Sequence, residues 1–135
     1  SLGVNLFFQL NETLAKQMAD IQEYVPSIQE IHHTQKLDAP SGTAITLAEK
    51  ILDYNTRLER WILNTSGSNE DLPIFAIREG AIPGTHLVSY VSEIDKITIK
   101  HEAFSRQGFV LGAVKAAEFV NGKKGIYSMK DLLAE

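Results

Sequence analysis

Apolar residues first recur along this chain with a helical period. Phe7, Leu10, Leu14, Met18 and Ile21 follow at steps of three and four, with Glu12, Lys16 and Asp20 on other faces. Pro26 limits that helix, because the residue before a proline is driven towards extended geometry. The period then changes from 3.6 to 2. Over 27–33, Ile28, Glu30 and His32 share one face while Ile31 and His33 share the other, which predicts a short strand. Asp38-Ala39-Pro40-Ser41-Gly42 breaks the chain, and a second helix beyond it carries Ala44, Leu47, Ala48, Ile51 and Leu52 on one side. Asn64-Thr65-Ser66-Gly67-Ser68-Asn69 is the most loop-like stretch.

Three more strands are predicted over 72–78, 86–94 and 96–104. In the last, Ile97, Ile99 and His101 alternate with Thr98, Lys100 and Glu102, the pattern of a strand with one buried face. Gly80-Ala81-Ile82-Pro83-Gly84 joins the first two, and Glu93-Ile94-Asp95-Lys96 is short enough for a hairpin turn between the last two. From Gly108, the positions Val110, Ala113, Val114, Ala117 and Val120 mark an amphipathic helix that ends at Asn121-Gly122. A further short helix is expected over 128–133. The order helix, strand, helix, three strands, helix predicts an α+β fold, a two-layer α/β sandwich with a mixed, mainly four-stranded sheet and helices on one face. The uncovered face of such a sheet predicts oligomerisation through it.

The chain has 135 residues, which suits one domain over 1–135. With 44% hydrophobic and 22% charged residues it has ordinary globular usage, and no repeat or low-complexity tract occurs, so a fibrous or disordered chain is excluded. A formal net charge of −4 gives no broad footprint for nucleic acid or an anionic membrane, so neither is expected as a partner. No Cys is present, which excludes disulfides, a thiolate nucleophile and cysteine-ligated zinc, and suits a reducing compartment. No apolar run nears the roughly 18 residues that span a bilayer. Ser1-Leu2-Gly3-Val4-Asn5 has no basic region of the secretory kind, and a soluble, cytoplasmic domain is expected.

The densest chemistry lies in Glu30-Ile31-His32-His33-Thr34-Gln35-Lys36-Leu37-Asp38-Ala39-Pro40-Ser41-Gly42-Thr43-Ala44. Two imidazoles, an ammonium and a helix start fall close together. A helix N-terminus offers free backbone N–H groups and partial positive charge, so it receives carboxylate or phosphate. Gly42 permits close backbone approach, and Ser41 and Thr43 add hydroxyls. With Lys36 nearby, the pattern suits a small molecule bearing two acidic groups. Histidine is the usual residue for moving a proton near neutral pH. Each residue also has a plainer reading. Ser41 is more often a simple helix cap, Lys36 alone would be a solvated charge, and a lone histidine is more often a structural or solvated group. Adjacent histidines on a strand face opposite ways. The pair matches no common ligand spacing with Asp38, so no metal site is expected.

The string E-I-H-H-T-Q-K-L-D-A-P-S-G-T-A resembles the signature E-x-H-H-x-x-K-x-D-A-P-S-G-T-A of 4-hydroxy-tetrahydrodipicolinate reductase, also called dihydrodipicolinate reductase, of lysine and diaminopimelate synthesis. Every fixed position is present. Arg78-Glu79-Gly80 with Gly84-Thr85-His86, then His101-Glu102-Ala103-Phe104-Ser105-Arg106, then Gly112-Ala113-Val114-Lys115-Ala116-Ala117, resemble later blocks of the same domain, so the likeness covers nearly the whole chain.

The resemblance implies particular roles. His32 is the general acid that protonates the ring carbon beside the one receiving hydride, and Lys36 is the second catalytic proton donor. His33 contacts substrate, and Ser41, Gly42 and Thr43 cradle a carboxylate. Asp38 and Glu30 are expected to be structural, with Glu30 orienting a histidine. Arg106, His86 and His101 carry less specific signals. The family is two-domain, with NADPH or NADH held by an N-terminal Rossmann unit. No G-x-G-x-x-G occurs here. The chain is therefore expected to be the C-terminal substrate-binding and oligomerisation domain, which binds dicarboxylate but is inactive alone. The resemblance further implies a homotetramer built through the sheets, and a tail over about 123–135 that packs on the missing domain. The competing readings are the substrate domain of another two-domain nicotinamide dehydrogenase, and a non-catalytic module for anion binding or assembly.

Overall fold

The computed structural model describes residues 1–134. Four helices and five strands follow in the order α1 (Leu2–Met18), β1 (Val25–His32), α2 (Gly42–Tyr54), β2 (Arg60–Leu63), β3 (Asp71–Arg78), β4 (Gly84–Val91), β5 (Lys96–Ala103), α3 (Gln107–Val120) and α4 (Met129–Ala134). The strands form one sheet in the order β2-β3-β1-β4-β5. β1 runs parallel to β3 and antiparallel to β4, so the sheet is mixed and the α+β expectation holds.

The sheet has five strands rather than four. The additional edge strand, β2, pairs Trp61 with Leu72 and Leu63 with Ile74 in parallel. Its four residues are too few to set a period of their own, so it was absent from the sequence pattern. The join between β3 and β4 also differs from a hairpin. β1 lies between them, so the passage through residues 79–83 crosses over it. The hairpin expected between β4 and β5 is present, and its turn is held by Ser92, whose hydroxyl accepts from the backbone N–H of Ile94 and of Asp95.

Register puts Ile28, Glu30 and His32 on the same face as Ile74 and Arg78 of β3, and as Val88 and His86 of β4. α1 and α2 cover this face. Ala44, Leu47, Ala48 and Ile51 of α2 pack with Phe7, Ala15 and Met18 of α1 against Ile28, Leu72, Ile74, Val88 and Tyr90. Complete burial of each Val, Leu, Ile, Phe or Met side chain among these is worth about 1.5–3 kcal/mol.

Of the three helical stripes read from the sequence, that of α2 is buried as read, that of α1 needs correction and that of α3 lies exposed. In α1 the buried row is Phe7, Asn11, Ala15 and Met18, while Leu10 is half exposed and Ile21 lies beyond the helix end. Asn11 takes a core position because its amide donates to the Leu47 carbonyl across the helix pair at 3.1 Å. In α3 only Gly112 is buried, and Val110, Val114 and Val120 are exposed. This helix sits against the start of α1 and against α4, so its apolar stripe does not enter the core. Of the tail expected over 123–135, Glu135 lies outside the described residues. The rest includes α4, which places Lys130 Nζ 4.0 Å from Glu12 Oε2 of α1.

Candidate active site

The site grows from the C-terminal end of β1. Pleating sends Glu30 and His32 towards the helix layer, where Glu30 is fully buried and His32 is 8% exposed. A buried carboxylate must have its lone pairs met. Arg78, the register partner of His32 on β3, supplies a bidentate fork: Nη2 donates to Oε1 and Nη1 to Oε2, each at 2.9 Å. The Ser41 N–H donates to Oε1 at 3.2 Å, and His32 Nδ1 meets Oε2. Burial pushes the Glu30 carboxyl up, but Arg78 and His32 outweigh it and hold the group below its ordinary value.

The same guanidinium holds the following loop, since Nη2 also donates to the Asp38 carbonyl at 2.7 Å. In that loop Lys36 Nζ pairs with Asp38 Oδ1 at 2.8 Å, with the Asp38 side chain 62% exposed. That hydrogen bond holds the Asp38 carboxyl below its ordinary value. His33 follows the end of β1, is half-buried, and makes no ring hydrogen bond among the described residues.

The loop ends at Ser41, whose extended backbone caps α2 and whose Oγ accepts from the Ala44 N–H at 3.1 Å. The hydroxyl also meets His86 Nε2 at 2.8 Å. Among the described residues the N–H groups of Gly42 and Thr43 have no acceptor, as the first turn of a helix dictates. A Cβ at Gly42 would meet no atom within 4 Å, so the glycine leaves the outer approach to this helix start open.

Electrostatics separate the imidazoles. Burial lowers the pKa of His32, Lys36 and Arg78 lower it further, and Glu30 opposes them. Burial also lowers that of His86, to about 4, with His32 beside it at a ring-centroid distance of 5.1 Å. Ligating atoms of Glu30, His32 and His86 lie within 4.8 Å of one another. The cluster nevertheless does not fit a resident cation, because Arg78 already occupies both carboxylate oxygens and Ser41 occupies His86 Nε2.

Glu30 does contact a histidine, as read from the sequence, and the Asp38 carboxylate pairs with Lys36 inside the loop. Arg78 and His86 are the residues that sequence reasoning underweighted. Arg78 was visible only as part of a block 48 positions from Glu30, and the parallel pairing of β1 with β3 brings the two together.

This is an α+β domain whose strand-to-helix passage joins a buried carboxylate–imidazole pair to an open, anion-receptive helix start. The family model for the C-terminus of dihydrodipicolinate reductase matches residues 3–133, and the chain belongs to that family. The 4-hydroxy-tetrahydrodipicolinate reductase of Christiangramia forsetii is 56% identical over 135 residues, covering 100% of this chain and 56% of the relative. That of Methanosarcina barkeri is 42% identical over 137 residues, covering 98% of this chain and 51% of the relative. Among solved structures, dipicolinate-bound dihydrodipicolinate reductase from Paenisporosarcina sp. TG-14 aligns with a TM-score of 0.56 and 25% identity, over 79% of this chain and 44% of that one. The chain thus spans about half the length of the curated relatives it matches.

Proposed function

We propose that this chain is the substrate-binding domain, over 1–135, of a reductase that converts 4-hydroxy-tetrahydrodipicolinate to tetrahydrodipicolinate. The observation that carries this reading is the pair of acceptor-free N–H groups at Gly42 and Thr43, set one loop away from Lys36 and the buried His32. A planar ring with two carboxylates suits such an arrangement, and the solved neighbour is by name dipicolinate-bound. In this reading the Gly42 and Thr43 N–H groups and the Thr43 hydroxyl take one carboxylate, with Ser41 shaping the helix start. Lys36 and His33 take the other. His32 gives a proton to the ring carbon beside the one that gains hydride, and Lys36 is the second proton donor. Such positioned donors neutralise charge as it develops.

A nicotinamide supplies hydride when bound, but the residues of this chain do not fit one. None of the five described strands runs into a glycine-rich helix start, and the passage from β1 to α2 carries His32, His33 and Lys36 instead. NADPH or NADH therefore belongs to another part of the full-length enzyme, and this chain binds dicarboxylate without turning it over. On the face of the sheet away from the helices, Ile31, Phe75, Ile77 and Leu87 lie in adjoining register positions. This apolar patch supports a homotetramer built through the sheets. No described helix is long and apolar enough to cross a membrane, which suits a cytoplasmic enzyme. The tail from 123 onward is assigned to contact with the remainder of the enzyme.

The test is a calorimetric titration of this chain and of Lys36→Ala with pyridine-2,6-dicarboxylate. The parent binds, and the variant loses about tenfold to a hundredfold in affinity, as expected for a charge-assisted hydrogen bond. Equal affinities, or binding of inorganic phosphate alone, would favour the anion-module reading instead.

A further inference from the structure

We infer that the Glu30–Arg78 pair is a positioning unit that fixes which nitrogen of His32 exchanges the proton, assigning Nδ1 to a permanent hydrogen bond and leaving Nε2 as the exchanging atom over Gly84. The inference rests on the reading of His32 as a proton donor and adds the residues that make its geometry single-valued.

The geometry carries the argument at both ends of the ring. At the Nδ1 end, Glu30 Oε2 accepts from His32 while its own position is fixed by the two-pronged Arg78 contact and the Ser41 N–H. A carboxylate has no proton of its own to give in its ionised form, so Nδ1 facing it must carry the hydrogen. At the Nε2 end lies Gly84. A Cβ there would stand 3.0 Å from Nε2 and 3.3 Å from Cδ2, and the residue has φ +155°, which L side chains rarely adopt. Glycine at this position therefore keeps the Nε2 edge uncovered. The neutral ring presents a bare Nε2, and the charged ring presents Nε2–H as the donor, with Nδ1 unchanged between the two states.

Arg78 does more than neutralise Glu30. By donating to the Asp38 carbonyl as well, it ties the acid's carboxylate to the loop that carries Lys36. One guanidinium thus sets the two proposed proton donors in a single frame. The charged or titratable groups facing His32 are Glu30 on its own strand, Arg78 from β3, His86 from β4 and Lys36 from the loop. Of these, Glu30 alone favours the charged ring.

Long-range 1H–15N correlation spectra of the histidine rings test this on the chain as it stands. Above its titration, parent His32 is expected in the Nδ1–H form with a bare Nε2. An Nε2–H tautomer, or rapid averaging of the two, would overturn the inference without any variant being needed. In Glu30→Gln, His32 is expected to titrate at lower pH than in the parent, while His101 keeps its midpoint and dicarboxylate affinity changes less than threefold. Glu30→Asp, which keeps the carboxylate, is expected to recover part of the shift. A Glu30→Gln protein whose His32 titrates as in the parent would show that Glu30 is merely structural. If the parent fails to bind pyridine-2,6-dicarboxylate, the substrate reading falls and the tautomer result stands. A wrong tautomer with intact binding removes this inference alone.

Discussion

The two halves of the passage from β1 to α2 obey opposite rules. At the strand end, Glu30 and His32 are buried, and the carboxylate meets four donors from three different elements. A few residues on, Lys36 is held by one contact to an Asp38 carboxylate that is mostly in water. The first half is dry and over-determined, and the second is wet and singly held. The contrast matches what each half must do in the proposed reaction. His32, the donor proposed to protonate the ring carbon itself, has to be fixed in one geometry before substrate arrives. An ammonium that will meet a carboxylate has only to exchange one weak, solvated partner for another.

The largest effect that sharpens this contrast is expected from Glu30→Ala. It leaves the Arg78 guanidinium and the His32 ring without their buried acceptor, and removing one partner of a buried pair costs about 3–5 kcal/mol. Urea unfolding of this variant beside Lys36→Ala measures it. Glu30→Ala is expected to lower the midpoint strongly, and Lys36→Ala to leave it nearly in place. Comparable losses in the two variants would break the distinction between the halves.

A second effect comes from pH. His86 titrates near 4 in the folded protein against about 6.5 ordinarily, because burial disfavours its charged form. The unfolded chain binds that proton more readily, so the stabilisation is complete above pH 6.5 and is lost as pH falls towards 4. At about 1.4 kcal/mol per unit, the loss is roughly 3 kcal/mol. His32 is lowered as well and acts in the same direction. The Glu30 carboxyl is also held low, so its share is complete above its ordinary value of 4.5 and is lost only at more acid pH. Stability curves of the parent and His86→Gln, which keeps a side-chain amide able to hydrogen-bond Ser41, separate these. The variant is expected to flatten the decline between pH 6.5 and 4 and to keep the fall below it. A parent curve with no slope between 6.5 and 4 would mean that the imidazole cluster is far wetter than its burial indicates.

Much of this was legible beforehand, and the remainder was hidden for identifiable reasons. Alternation marked β1 and β5, and β3 and β4 are long enough to be read as strands, whereas the four residues of β2 are not. The α1 stripe was misread because Asn11 occupies a core position through a hydrogen bond that hydropathy does not record. The apolar stripe of α3 was read correctly as a pattern, but an amphipathic pattern does not say what it packs against, and here it stays exposed. At the site, every residue on the local string could be named. Arg78 could not be given a role, because its partnership with Glu30 exists only once β3 lies beside β1.

The smallest effect tests the wet half directly. Asp38→Asn removes the carboxylate that Lys36 now contacts, while Arg78 still reaches the backbone carbonyl of residue 38 and the loop keeps its anchor. A ligand carboxylate then competes with no resident anion for the ammonium. Affinity for pyridine-2,6-dicarboxylate is expected to rise about two- to fivefold, the scale of an exposed ion pair. The same calorimetric titration at several salt concentrations checks the origin of the gain, since an exposed pair weakens as salt rises and the advantage of the variant should shrink with it. A large fall in affinity would place Asp38 among the groups that organise the site, and the loop would then belong with the rigid half.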